Sequence, residues 1–172
     1  ELWVSDGTAA GTVLVKDINT GSTSSNPVNF VSLGNGTVLF SATDATNGTE
    51  LWVSDGTAAG TVLVKDIRVG TSSSSPIGFT SLGNSSVLFL ANDGIKGQEL
   101  WVSDGTEAGT LLVKDIKVGS NGANPTNFVS LGNGTVLFSA NDGTNGTELW
   151  ISDGTAAGTV LVKDIYTGTT DS

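Results

Sequence analysis

The sequence predicts an all-β protein made of tandem four-stranded antiparallel units, and three observations carry that expectation. Glu-Leu-Trp begins at Glu1, Glu50, Glu99 and Glu148, a constant spacing of 49 residues with no insertion or deletion. Each period holds four short runs rich in Val, Leu and Phe, bounded by Gly, Asn and Asp, which is strand chemistry. No window of helical length repeats its apolar residues every 3.6 positions. A four-stranded antiparallel unit of roughly 40–50 residues is the signature of a β-propeller blade. Propeller-like blades are therefore expected, with an open linear or superhelical stack of small sheets as the alternative.

The elements follow in order. The first run is Glu1–Ser5, closed by the turn Asp6–Gly11. The second is Thr12–Ile18, after which a polar stretch from Asn19 to Asn26 leads to Pro27. The third is Val28–Leu33, and Asn35-Gly36 behind it is the preferred dipeptide of a two-residue type I′ hairpin. The fourth is Thr37–Ala42, and the turn Asp44–Thr49 returns the chain to Glu50. Val13-Leu14-Val15 and Val38-Leu39-Phe40 are apolar on both faces, so copies of the unit should cover both. A parallel β-helix fits poorly, because Asn35-Gly36 asks for a tight antiparallel hairpin. Glu1–Thr49 and Glu99–Thr147 agree at 39 of 49 positions, and the differences fall mainly in the polar connection and the turns.

In propeller order the two runs after Pro27 are the inner strands of a blade, and the Glu-Leu-Trp and Leu-Val-Lys-Asp-Ile runs are the outer ones. The chain then divides into an outer hairpin (1–18), repeat units 19–67, 68–116 and 117–165, and the start of a next connection (166–172). Three and a half units are few for a ring, which typically uses about 4–8 blades. The outer hairpin is expected to be completed by further units of a longer array or, next best, by another chain.

Glu1-Leu-Trp-Val-Ser-Asp-Gly-Thr8 and its three copies resemble the ELWxxDGT repeat of large bacterial surface and secreted proteins, and the likeness runs on through Gly11-Thr12 and Leu14–Ile18. The resemblance implies a propeller-like extracellular repeat protein and carries little about biochemical function.

Composition narrows the chemistry. There is no His, Cys or Met, so the commonest zinc, copper and haem ligands are missing, as are Ser-His-Asp and Cys-His nucleophilic sites. No organic cofactor is expected, and oxygen-ligated Ca²⁺ is the one metal candidate. The net charge is −10 with seven basic residues spread along the chain, which disfavours nucleic acid and anionic membranes as partners. No run approaches the length of a membrane span.

Four sets of residues are candidates for function. Asp44, Asn47 and Glu50, with copies Asp93 and Glu99, then Asp142, Asn145 and Glu148, put carboxylate and amide oxygens at the short spacing Ca²⁺ uses. Lys96 stands where the other units have Asn47 and Asn145, and turn capping accounts for the same side chains without a metal. Trp3, Trp52, Trp101 and Trp150 lie on the more polar strand face and are candidate sugar-stacking platforms, with packing between blades as the alternative. Asn35, Asn47, Asn84, Asn133 and Asn145 begin N-glycosylation sequons that hairpin-turn chemistry explains equally well. The Asp-Gly-Thr turns at Asp6, Asp55, Asp104 and Asp153 are read as structural.

No catalytic residue is expected, because an active site needs one asymmetric constellation and these units are near copies. The expected role is a structural extracellular array, part of a surface stalk, fibre or matrix, whose partners are other copies of the repeat in cis or in trans. The alternative is a multivalent adhesin or lectin-like module that binds carbohydrate or calcium through repeated weak sites.

Overall fold

The computed structural model describes residues 1–165, 167 and 168. Residues 166 and 169–172, most of the stretch expected to start a next connection, lie outside the described residues. Every regular element among the described residues is a strand. The strands are β1 (Leu2–Val4), β2 (Val13–Lys16), β3 (Val28–Ser32), β4 (Val38–Asp44), β5 (Gly48–Ser54), β6 (Val62–Lys65) and β7 (Ile77–Ser81). They continue as β8 (Val87–Asn92), β9 (Gln98–Ser103), β10 (Leu111–Lys114), β11 (Thr126–Ser130), β12 (Val136–Asn141), β13 (Thr147–Ser152) and β14 (Val160–Lys163).

The strands form three antiparallel meanders, β3-β4-β5-β6, β7-β8-β9-β10 and β11-β12-β13-β14, preceded by the lone hairpin β1-β2. The protein is all-β, built of repeated four-stranded antiparallel sheets with propeller-like blades. β7 lies beside both β3 and β11, so the first strands of the three sheets cluster at the inner edge. The outermost strands β2, β6, β10 and β14 are short, and their edge residues Val13, Val62, Leu111 and Val160 are exposed.

The core lies between units. One cluster joins Leu2, Val15 and Ile18 of the hairpin to Phe40, Ala42 and Trp52 of the first sheet. The second joins Leu33, Leu39, Leu51, Val64 and Ile67 of the first sheet to Val87, Phe89, Ala91 and Trp101 of the next. The third repeats that pattern from Leu82, Leu88, Leu100, Val113 and Ile116 to Val136, Phe138, Ala140 and Trp150. Each sheet thus has a backward face carrying Phe and Trp and a forward face carrying Leu, Val and Ile. Because successive strand residues point to opposite faces, runs apolar at every position supply both faces at once.

The tight turn differs from the expected type I′ hairpin. Leu33 N donates to Thr37 O at 3.0 Å, so the connection spans the three residues between them. Gly34 and Gly36 hold positive φ (80° and 89°) while Asn35 does not, whereas type I′ needs positive φ at both Asn35 and Gly36. Asn35 instead caps the turn, its Oδ1 accepting from Thr37 N and Thr37 Oγ1.

Candidate functional site

The Asp-Gly-Thr turn is held by its own side chains. Asp55 Oδ1 accepts from Thr57 N and Thr57 Oγ1, Thr57 Oγ1 accepts from Gly60 N, and Thr61 Oγ1 donates to Thr57 O. The other three copies repeat these bonds. A Cβ at Gly60 would sit 2.1 Å from the Asp55 carboxyl, which is why only glycine serves there. The Thr hydroxyl and amide hold all four Asp carboxyls below the usual range.

The Glu that opens each Glu-Leu-Trp is a backbone acceptor, half-buried at Glu1 and buried at Glu50, Glu99 and Glu148. Glu50 accepts from Ile67 N at 2.9 Å, Ser74 N at 2.7 Å and Ser74 Oγ at 2.5 Å. Glu99 accepts from Ile116 N, Lys117 N and Ala123 N, and Glu148 from Ile165 N. The carboxylate thereby pins the irregular segment that leaves one sheet for the next, whose N–H groups would otherwise be buried without partners. Burial pushes the Glu99 carboxyl up to about 7, against the downward pull of its three N–H donors. Burial raises Glu50 as well, more than its Ser74 and Ile67 donors lower it.

Lys ties each unit to the next. Lys16 Nζ donates to Thr61 O at 2.6 Å, Lys65 Nζ to Thr110 O at 2.9 Å and Lys114 Nζ to Thr159 O at 2.7 Å. Each ammonium reaches the Asp-Gly-Thr turn of the following unit, rather than an acid on its own sheet as cross-strand pairing would suggest. Close packing accompanies it. Leu33 and Leu82 press on Gly105 and Gly154 of the following unit, where a Cβ would approach the leucine methyl to 2.8 Å and 2.9 Å.

The candidate calcium ligands separate into two jobs. Asp44 caps its turn, accepting from Thr46 N, Asn47 N and Asn47 Nδ2, and Asp142 does the same with Thr144 and Asn145. Asp93 accepts from Ile95 N and Lys96 N, and Lys96 turns to Asp115 at 2.9 Å. Glu50 and Glu99 point into the buried connections and Glu148 accepts from Ile165 N, rather than facing these turns. Among the described residues no group of three or more Asp, Glu, His or Cys is placed to hold a metal ion.

The tryptophans also move from their expected place. Trp52, Trp101 and Trp150 are 6–7% exposed and lie in the clusters between units, so their rings offer no face to a sugar. Strand alternation put them on the more polar face, but the preceding unit covers that face. Trp3 is the exception, at 59% exposed. Of the sequon residues, Asn35, Asn84 and Asn133 sit exposed at hairpin tips. Asn47 and Asn145 are half-buried, with amide nitrogens donating to Asp44 and Asp142.

A groove of about 460 Å³ that the sequence reading missed runs along the inner edge. Phe30, Ile77, Phe79 and Phe128 line it together with Asn29, Gly78 and Asn127, which hold φ of 60°, 72° and 57°. Phe30, Phe79 and Phe128 each stack on the cross-strand Phe40, Phe89 or Phe138 at 5.1–5.5 Å between ring centroids.

No family model matches the chain, and no curated protein matches it. A solved structure of a puromycin hydrolase mutant complexed with PGG superposes with a TM-score of 0.53 at 16% sequence identity. The superposition covers 90% of this chain and 26% of that one, so the chain spans about a quarter of the hydrolase. The hydrolase has a β-propeller domain, and the likeness is one of fold.

Proposed function

We propose that the chain is a non-catalytic structural array, part of an extracellular stalk, fibre or matrix of the kind its ELWxxDGT-like repeat implies. One observation carries the reading: the two interfaces between whole sheets are made by the same residues, and the Lys-to-carbonyl bond recurs at all three junctions. The chemistry-bearing side chains are engaged in holding the fold. Glu binds backbone, Asp caps turns, Lys joins units and Trp fills the core. Near-identical interfaces make stability approximately a sum over units and their neighbours. The test is a length series. Appending one further copy of 68–116 should raise the thermal midpoint, and an unchanged midpoint would remove the support for an array. Antibody labelling of intact source cells tests the extracellular placement, which fails if only lysed cells stain.

A second reading, a repeated binding module, is favoured by the inner groove and its partly exposed Phe30, Phe79 and Phe128 rings. A glycan and peptide array probed with wild type and Phe30→Ala decides it. Binding that the substitution removes supports the reading, and no binding by either protein ends it.

A further inference from the structure

The two end faces of the chain are the two halves of the interface already used inside it. On the forward face of the third sheet, Ile165 is 60% exposed, while its counterparts Ile18, Ile67 and Ile116 are 6–7% exposed under the following unit. Leu131 is 47% exposed against 4% and 2% for Leu33 and Leu82, and Val162 follows the same pattern. Lys163 is exposed, whereas Lys16, Lys65 and Lys114 are half-buried against the next turn. On the backward face of the hairpin, Trp3, Leu14 and Thr12 are exposed, while Thr61, Thr110 and Thr159 are fully buried beneath the preceding unit's Lys.

We propose that the forward face of the third sheet docks the β1-β2 hairpin of a second copy, head to tail. The interior contacts, on which the array reading also rests, specify the pairing. Lys163 Nζ meets the Thr12 carbonyl, Leu131 seats on Gly7, and Val162 and Ile165 cover Trp3. The fit repeats the interface that joins the whole sheets twice within each copy, and it gives the exposed apolar residues of both ends one partner. The contact is heterologous, so addition continues until the rotation closes into a ring or runs on as a filament.

Analytical ultracentrifugation of the 172-residue chain should show a weight-average mass that rises reversibly with concentration. Trp3→Glu blocks one face and Ile165→Glu the other, so each variant alone should sediment as a single chain. An equimolar mixture of the two should form dimers and nothing larger, because one intact face of each kind remains. Thermal melts check folding, with Leu14→Glu and Leu131→Glu as replacements if either variant unfolds. A wild type that stays a single chain throughout, or a mixture that does not associate, overturns the proposal. So does an Ile165→Glu variant that associates like wild type, since that would mark contact between like faces. Failure here leaves the length series untouched, because units that stabilise one another within a chain need not join between chains.

Discussion

Residues 1–18 and 50–67 have the same sequence in two settings. Within the first whole sheet, all five residues Glu50–Ser54 are strand and Trp52 is buried against the preceding hairpin. In the lone hairpin, β1 runs three residues and Trp3 lies open. Glu50 is raised by burial. Burial also raises Glu1, but N–H donors at Asn19, Ile18 and Ser25 outweigh it and hold that carboxyl below the usual range. What survives unchanged is the Asp-Gly-Thr turn, whose bonds are identical at Asp6 and Asp55. The difference separates local from borrowed structure. The turn belongs to its own residues, whereas strand length and burial come from the inner pair and the neighbouring unit.

The largest test of that contrast is at Trp. Trp101→Ala should cost about 3–5 kcal/mol in chemical denaturation, the range for emptying a packed aromatic site. Trp3→Ala, measured at concentrations where the chain is monomeric, should cost under about 1 kcal/mol. Similar losses at both positions would break the comparison.

Acid–base behaviour comes next. A carboxyl raised on folding, as Glu99 is to about 7, binds its proton more tightly folded than unfolded. Its contribution is therefore greatest below the ordinary glutamate range and declines as pH rises through that range to about 7. Denaturation should show stability falling between about pH 5 and pH 8 by on the order of 2–3 kcal/mol. Glu99→Gln should flatten that slope. The depressed Asp carboxyls of the turns act in the opposite sense, since their contribution is lost as pH falls through the Asp range.

The smallest effect is at Lys. Lys65→Met removes the bond to Thr110 O and should cost about 1 kcal/mol in the same assay. Lys163→Met in the monomer should fall within about 0.5 kcal/mol of wild type.

The period, the strand runs and the all-β class were legible because they are local patterns written four times. The roles of the side chains were not, because each depends on a partner far along the chain. Glu50 meets residues 67 and 74, and Lys16 meets residue 61. A charged residue at the start of an apolar strand in every copy was the available signal for a buried acceptor. Its short spacing from Asp44 and Asn47 points instead to an acidic turn. Trp was misplaced because alternation identifies a face but not what covers it. Asn35-Gly36 alone suggests a two-residue turn, but the neighbouring Gly34 is a second residue free to take positive φ, and it lengthens the connection to three.

Native-state hydrogen exchange on the monomeric chain tests most directly the claim that neighbouring structure supplies strand stability. The amides of residues 3–16 and 52–65 lie in the same local sequence, so intrinsic exchange cancels between them. Protection in β5-β6 should approach the global unfolding free energy, while β1-β2 exchanges through a local opening well below it. Equal protection in the two hairpins would contradict the account.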